Sequence, residues 1–494
     1  MLVVTLVCLL GGGAGYGTAT ALATQARARA GDSLTTGTTT TSTGTTVTTG
    51  TTGTSTSTTT RTTTTPTTTR TTTTRTTTTT RTTTTPAPKP PSDVPPPAAP
   101  ASKALTALQR TLLSDLNRQG GDNGALVVDE TTDTTLWSYN ASVWRMPASV
   151  QKLYTTSTAL FEFGPAATFQ TSVLGVGKLL PGGVWDGTLY LRGGGDPTFG
   201  SAAFDRANYG TGATVQALAA NLRRAGIKRV RGRILGDSSY FDSRRGGPDS
   251  GYRANIETEG SLSALVYDAG FTNMQEDQLQ RNPPLTATQA FAAALQAAHV
   301  SLARHTQIGL GVTPGNAQLL ASVSSPPLSR LLALTNAPSD NFFAEMLLKD
   351  LGARFGRGGT TADGVRVVRN LIAQKFALHP RFNDGSGLSR WDLTNPEQVV
   401  LLLREMQTYP NFWNSLAVAG VSGTMQDEMK GSRAANNCRG KTGTLHDVAN
   451  LVGYCRAANG DQIIFAFLMN GLTDSDAGHQ LEDLAAEALA NYRG

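Results

Sequence analysis

Three short motifs lie far apart in this chain, and any fold it adopts has to bring them together. They are Ser149-Val150-Gln151-Lys152, Ser339-Asp340-Asn341 and Lys441-Thr442-Gly443-Thr444, with roughly 190 residues between the first two. Each alone carries little information; all three, in this order and in suitable local contexts, carry a great deal. A serine hydroxyl is a poor nucleophile at neutral pH and needs a base nearby. Lys152, three residues on, faces the same side of one helical turn as Ser149. To act as that base it must lose its proton, which burial and a neighbouring cation favour, and Lys441 is the candidate cation. A helix start at Ser149 places its backbone N–H near a developing oxyanion. A second donor is expected from the strand bearing Lys441 to Thr444, where Gly443 lets a substrate backbone approach closely. Ser339 and Asn341, in a loop after Pro338, are placed to relay a proton and to hydrogen-bond an acyl amide. Lys441, Thr442 and Thr444 suit a terminal carboxylate. Together these residues describe acyl transfer on a peptide with a free C-terminus.

The first hundred residues contribute nothing to such a fold. Residues 1–30 open on an apolar stretch, Leu2 to Leu10, followed by Gly-rich sequence and Ala19-Thr20-Ala21-Leu22-Ala23. That order resembles a secretory signal with a small-residue cleavage site. No Lys or Arg precedes Leu2, so the segment is expected either to be cleaved or to stay as a membrane anchor. Cys8 reads as an apolar filler rather than a lipidation site. Residues 31–100 are nearly all Thr, broken by Arg61, Arg70, Arg75 and Arg81, with a Pro-rich end. They hold too little apolar surface to offset the entropy of ordering and are expected to be a disordered linker. Such a linker is either a spacer carrying a catalytic head outward, with glycosylation an open question, or a solvated tail without specific contacts. Seven of the basic residues, against Asp32 and Asp93, sit in the first hundred positions, so of the formal net charge of +6 only about one unit is left for the rest. Nucleic-acid binding therefore has no footprint outside the tail.

From Ala101 the sequence reads as folded. Leu105, Leu108, Leu112, Leu113 and Leu116 form a helical stripe. Ala125–Val128 and Thr135–Tyr139 read as paired strands, and Pro147 opens a helix carrying Ser149, Lys152, Leu153, Thr156 and Leu160. Near the end, Val448–Cys455 and Gln462–Leu468 flank Asn459-Gly460, a strong hairpin signal. The last helix, about 475–492, shows Leu481, Leu484, Ala488 and Tyr492 on one face. Between the first two motifs lie further strands (168–173, 188–191), a turn at Gly193–Pro197, and two similar Ala-rich helices around 216–222 and 289–295. Each of these helices precedes a basic, β-leaning segment; an internal repeat and chance likeness of Ala-rich helices both account for that. The expected class is α/β (α+β): an antiparallel sheet flanked by helices, built from 101–165 and 331–494, with 166–330 inserted and shaping substrate access rather than chemistry.

Competing chemistries fare worse. None of the five His residues stands beside a Gly-x-Ser-x-Gly elbow, and Gly236-Asp237-Ser238 reads as a strand-ending turn. Gly193-Gly194-Gly195 is not followed by a phosphate-binding helix start. His446 is expected to face solvent. No Cys/His cluster has metal spacing, so neither metal nor cofactor is expected.

The motif trio is shared by penicillin-binding proteins and class A β-lactamases. From about Ala101 to Gly494 the chain resembles the D-Ala-D-Ala carboxypeptidase/endopeptidase family of low-molecular-mass penicillin-binding proteins, the peptidase S13 or penicillin-binding protein 4 (DacB-like) type. The large insertion carries the resemblance, with Leu191–Thr198, Asn383–Arg390 and Val418–Thr424. It implies a transpeptidase-like domain in two pieces with domains inserted between them. It further implies Ser149 as the acylated nucleophile, Lys152 as base, Ser339 and Asn341 as the second motif, and Lys441, Thr442, Gly443 and Thr444 as the third. Implied partners are peptidoglycan peptides ending in D-Ala-D-Ala and β-lactam antibiotics, in the periplasm or cell envelope. A serine β-lactamase is the enzymatic alternative, but no Glu-x-x-Leu-Asn segment lies between Asn341 and Lys441 to activate a deacylating water. The non-enzymatic alternative is a wall-binding protein of the same fold.

Cys438 and Cys455 flank the third motif. If the strands on either side turn near Leu445-His446-Asp447, these two cysteines stand opposite each other, within disulfide reach. An exported protein would keep that bond.

Overall fold

The computed structural model describes residues 93–99 and 102–494; the apolar opening segment, Cys8 and the Thr-rich run to residue 92 lie outside the described residues. Helix α1 (Lys103–Asn117) leads into strands β1 (Asp122–Asp129) and β2 (Thr134–Tyr139), a 3-10 turn at Ala148–Gln151 and helix α2 (Lys152–Phe163). The middle supplies β3 (Gln170–Leu180), β4 (Val184–Arg192), α3 (Ala202–Asn208), α4 (Val215–Arg224), β5 (Arg229–Asp237), α5 (Pro283–Ala297), β6 (Ser301–Leu302), β7 (Gln307–Leu310) and β8 (Gln318–Ser324). Then come α6 (Leu328–Asn336), α7 (Asn341–Phe355), α8 (Thr361–Phe376), α9 (Pro396–Met406), α10 (Pro410–Trp413), β9 (Ala417–Val418), β10 (Arg439–Leu445), β11 (Val448–Arg456), β12 (Gln462–Asn470) and α11 (Ser475–Asn491). Among these, no helix is long and apolar enough to cross a membrane.

The sheet that carries the third motif is ordered β2-β1-β12-β11-β10-β9 and is antiparallel throughout. Its first two strands come from one end of the chain and the others from the far end. It is covered on both faces, so its central strands β11 and β12 are buried at nearly every position and largely apolar instead of alternating. Ala125, Val127, Phe465 and Phe467 pack in one cluster with Leu105 and Leu112 of α1 and Leu481 and Leu489 of α11. The intervening Leu126, Val128, Ile464 and Ala466 belong to a second cluster with Leu153 of α2, Phe343 of α7 and Leu403 of α9. The helical stripes are narrower than the sequence suggested. Leu113 and Leu484 are both 43% exposed. In α11 the inward line is Leu481, Ala485 and Leu489, four residues apart, which turns Leu484 outward.

A second sheet, confined to residues 170–324, is ordered β6-β5-β4-β3-β8, with β7 also on β5. It is mixed: β3 pairs antiparallel with β4 and β8, whereas β4 with β5, and β5 with β6 and β7, are parallel. Parallel neighbours need a crossover. The two Ala-rich helices, α4 and α5, lie in those crossovers and share one core with Trp185, Leu189 and Ile234. A common task in the fold thus accompanies their likeness. The turn at Gly193–Pro197 follows β4 as expected.

The Pro-rich segment does not stay apart as far as residue 100. Pro97 bridges Thr135 of β2, with Thr135 N–H donating to Pro96 O and Ala98 N–H to Thr135 O. Thr135 Oγ1 donates to Pro95 O, and Arg404 donates to Asp93 O. Proline fits here because the edge of a sheet does not require its missing N–H.

Strands β10 and β11 pair as the spacing predicts, from Arg439↔Tyr454 to Leu445↔Val448. Cys438 and Cys455 are joined by a disulfide across 17 residues of sequence, with Cα atoms 4.2 Å apart and both side chains fully buried. Closing a loop of that length restricts the unfolded chain. Replacing both cysteines by Ala should lower the stability of the folded chain by about 3 kcal/mol. A shift in the denaturant midpoint would show it, and an unchanged midpoint would count against a structural role for the bond.

Candidate active site

The nucleophile turn is held from behind before any catalytic group is considered. Asn470 Oδ1 accepts from Met146 N–H, and Asn450 Nδ2 donates to the carbonyls of Met146 and Pro147. Asn450 Oδ1 in turn accepts from Met469 N–H, so the two strands β11 and β12 are tied to the same turn. Arg145, fully buried, donates to the carbonyls of Asp122, Asn123, Asn140 and Val143. Ala148, immediately before Ser149, has φ 46°, a conformation an alanine rarely adopts. Backbone strain of this kind persists only where its surroundings fix it. Ser149 follows in the 3-10 turn and is half-buried, whereas Lys152 begins α2 and is fully buried.

The three motifs converge. Lys152 Nζ lies 2.8 Å from Ser149 Oγ, 2.6 Å from Asn341 Oδ1 and 2.9 Å from Ser386 O. Asn341 is oriented by its other end, Nδ2, which donates to Glu257 O. Its oxygen therefore faces the lysine, and Ser386 O can only accept. A neutral Lys152 has two N–H bonds and one lone pair. With both N–H bonds committed to Asn341 and Ser386, the lone pair is left facing Ser149 Oγ. Burial pushes Lys152 down to about 8, against Glu259, Asp384, Asp340 and Glu345, whose charges raise it. Lys441, the cation expected to help, is not among those causes. Its own ammonium is held well below the ordinary value by burial and then by Lys152.

The second motif is a turn with a helix cap inside it. Asp340 caps α7, accepting from Phe343 N–H, and Asn341 is already the first helical residue instead of part of a loop. Ser339 sits at φ 68° and accepts from Lys441 Nζ at 2.7 Å. Asn341 thus positions the lysine through Oδ1, while Glu257 O takes one of the two N–H bonds of its Nδ2.

In the third motif, alternation along β10 sends Lys441 and Gly443 to one face and Thr442 and Thr444 to the other. A Cβ on Gly443 would lie 2.7 Å from Pro147 O and 3.3 Å from Val150 Cγ2. Its smallness thus serves the packing of β10 on the nucleophile turn. Strand β9 pairs only with Arg439 and Gly440, so the edge of β10 from Lys441 onward is free of it. Thr442 Oγ1 donates to Thr424 Oγ1 at 2.8 Å, and Thr444 Oγ1 lies 2.7 Å from His479 Nε2. His446 is exposed.

Several contributors were not singled out in the sequence. Glu345, fully buried and pushed up to about 8 by burial and then by Asp384, accepts from the N–H groups of Gly385 and Ser386. This fixes the carbonyl that Lys152 uses. Gly387 at φ 88° packs so tightly that a Cβ would collide with Ala148 O. Glu259 accepts from Asn341 N–H at 2.6 Å and, with Glu257, brings residues 257–259 of the middle segment into the site. The middle of the chain thus reaches the catalytic groups, beyond shaping access to them. One signal was available for the asparagines: each interrupts or ends an otherwise apolar strand. Among the described residues no group of three or more His, Cys, Asp or Glu could hold a metal ion.

A family model described as D-Ala-D-Ala carboxypeptidase 3 (S13) matches residues 106–278 and 274–492. The D-alanyl-D-alanine carboxypeptidase of Actinomadura sp. (strain R39) is 29% identical over 489 residues, covering 81% of this chain and 87% of its own. D-alanyl-D-alanine carboxypeptidase DacB of Haemophilus influenzae is 24% identical over 448 residues, covering 74% and 89%. The crystal structure of penicillin binding protein 4 from Haemophilus influenzae superposes with a TM-score of 0.64 at 22% identity, over 78% of this chain and 99% of that one. The same protein in complex with a β-lactam gives 0.63 at 21% identity. These structural likenesses concern the fold.

The lone-pair geometry makes a pH prediction. Only the neutral amine can take the Ser149 proton, so roughly a tenth of the sites are competent at pH 7 if Lys152 titrates near 8. Ser149 reactivity toward a fluorophosphonate should therefore rise with pH through about 8 and level off above it. A profile flat from pH 6 to 9 would remove Lys152 from the role of base.

Proposed function

The chain belongs to the D-Ala-D-Ala carboxypeptidase 3 (S13) family, and on that premise we propose that it works by an acyl-enzyme on Ser149, outside the cytoplasm, on peptidoglycan stem peptides. It is a serine-type D-Ala-D-Ala carboxypeptidase, and cleavage of cross-links ending in D-Ala is the second activity proposed for the same chemistry. The observation that carries the mechanism is the contact of Lys152 Nζ with Ser149 Oγ in a site that leaves the amine one free direction.

The geometry supports the following steps. Ser149 Oγ attacks the carbonyl of the penultimate D-Ala while its proton passes to Lys152. The oxyanion is received by backbone N–H groups of Ser149 and of the β10 edge at Thr444. The C–N bond breaks as the leaving amine takes the hydroxyl proton of Ser339, and the proton that Lys152 took from Ser149 is passed on to Ser339, so that both groups return to their starting forms. Ser339 Oγ accepts from Lys441, which leaves its own hydroxyl hydrogen free to be donated. Water then attacks the ester while Lys152 again takes a proton, which it gives to Ser149 Oγ as the ester C–O bond breaks and the shortened peptide is released. Thr442 and Thr444 hold the terminal carboxylate at the open edge of β10. A β-lactam, which offers a strained amide and a carboxylate, is expected to acylate the same serine.

Export is proposed from the opening residues and the disulfide, since such a bond persists in an oxidising compartment. Attachment of the N-terminal segment to a membrane is proposed on the same composition.

Incubation with a penicillin, followed by peptide mass spectrometry, should place the adduct on the peptide that contains Ser149. Ser149→Ala should lose both labelling and release of D-Ala from a peptide ending in D-Ala-D-Ala. Lys152→Ala should slow acylation by about 100-fold or more, the scale of a lost general base. An adduct on Ser339 or Ser386, or labelling retained in Ser149→Ala, would overturn the assignment. Rapid turnover of the penicillin, with no adduct accumulating, would favour a β-lactamase instead.

A further inference from the structure

Behind Thr444 stands a pair of side chains to which the mechanism above gives no task. His479, in the second turn of α11, places Nε2 2.7 Å from Thr444 Oγ1, and its Nδ1 lies 3.0 Å from Glu482 Oε2. The side chain of Glu482 is 1% exposed and that of His479 19%, while Thr444 is exposed. A threonine at the surface has no need of a half-buried histidine and a buried carboxyl in line behind it.

We propose that His479, steadied by Glu482, is a positioning residue that donates its Nε2–H to Thr444 Oγ1 and so turns the Thr444 hydroxyl proton toward the terminal carboxylate of the substrate. This rests on the third motif being the carboxylate site. A hydroxyl has one proton and two lone pairs. If Nε2 carried a lone pair, Thr444 would give its proton to the ring and present only oxygen lone pairs to an incoming carboxylate. With the hydrogen on Nε2, a lone pair of Thr444 is used and the proton points outward.

The side of the ring facing Glu482 decides between these arrangements. Burial, with Asp483 adding to it, holds the Glu482 carboxyl well above its usual range. A neutral carboxyl donates its O–H to Nδ1 and leaves the hydrogen on Nε2. Burial keeps the imidazole itself below its ordinary value, against Glu428, Asp483 and Asp476, with Lys441 acting in the same direction as burial. Transfer of the carboxyl proton to Nδ1 does not alter the outcome, because Nε2 keeps its hydrogen in either form.

The test uses the full chain and two readouts. Relative to the parent enzyme, His479→Phe should raise KM for a peptide ending in D-Ala-D-Ala about tenfold, the scale of one charge-assisted hydrogen bond, with kcat little changed. Its rate of Ser149 labelling by a fluorophosphonate, which has no carboxylate, should be unchanged. His479→Gln, whose side-chain N–H reaches toward Thr444, should restore most of the KM. Should the bulk of Phe perturb folding, so that labelling falls as well, His479→Ala carries the same expectation. An unchanged KM, or a KM increase that Gln fails to relieve, overturns the proposal. Failure of the underlying premise looks different. In the parent enzyme, protection from labelling by the peptide acid and by its C-terminal amide would then be equal, and the third motif would not be reading a carboxylate.

Discussion

An amine buried out of water has to be surrounded by fixed acceptors, and most of this structure can be understood as the means of supplying them. Lys152 is fully buried, and its hydrogen-bond partners are a hydroxyl, an amide oxygen and a backbone carbonyl. Burying such a group without partners is costly, and burying it with the wrong ones would keep it charged. Its acceptors come from α7 and from the loop at Ser386, and the serine comes from its own turn. None of these can be displaced without leaving a buried polar group unpaired. The supporting bonds reach further: Glu345 on the amides of Gly385 and Ser386, Glu257 on Asn341, and Asn450 on the carbonyls before Ser149. The site is therefore a property of the assembled unit.

The electrostatic balance extends that dependence to the middle of the chain. Glu259, on a segment that contains none of the three motifs, is the first of the carboxylates that raise Lys152. Desolvation outweighs it and its companions, and the amine remains low enough to serve as a base near neutral pH. A site with fewer carboxylates would lower the lysine further but would weaken the framework. Glu345 and Asp384 are themselves bonded to the backbone of the loop that holds Lys152.

Much of this was legible in the sequence because the chemistry and the local structure share residues. Ser149 to Lys152 specifies both a nucleophile pair and a helix start, and the register of β10 on β11 follows from the hairpin between Cys438 and Cys455. The mixed topology of the second sheet was not legible, since the pattern of a short strand does not reveal the direction of its neighbour. The supporting carboxylates were equally hidden: Glu259 and Glu345 resemble ordinary acidic residues until the chain brings them to Asn341 and Ser386. Gly443 shows a different limit. The sequence marks the position as needing a small residue, but only the structure shows that the crowding neighbour is Pro147 O.

The Pro-rich segment seated along β2 has a consequence for how the molecule can be handled by whatever precedes it. In the order β2-β1-β12-β11-β10, the edge it occupies is four strands from the one that carries Lys441, roughly 19 Å at ordinary strand spacing. Chain entering at residue 93 thus joins the sheet on the side remote from the open edge of β10. The same contact shields an edge that would otherwise offer unpaired amides to a neighbouring copy.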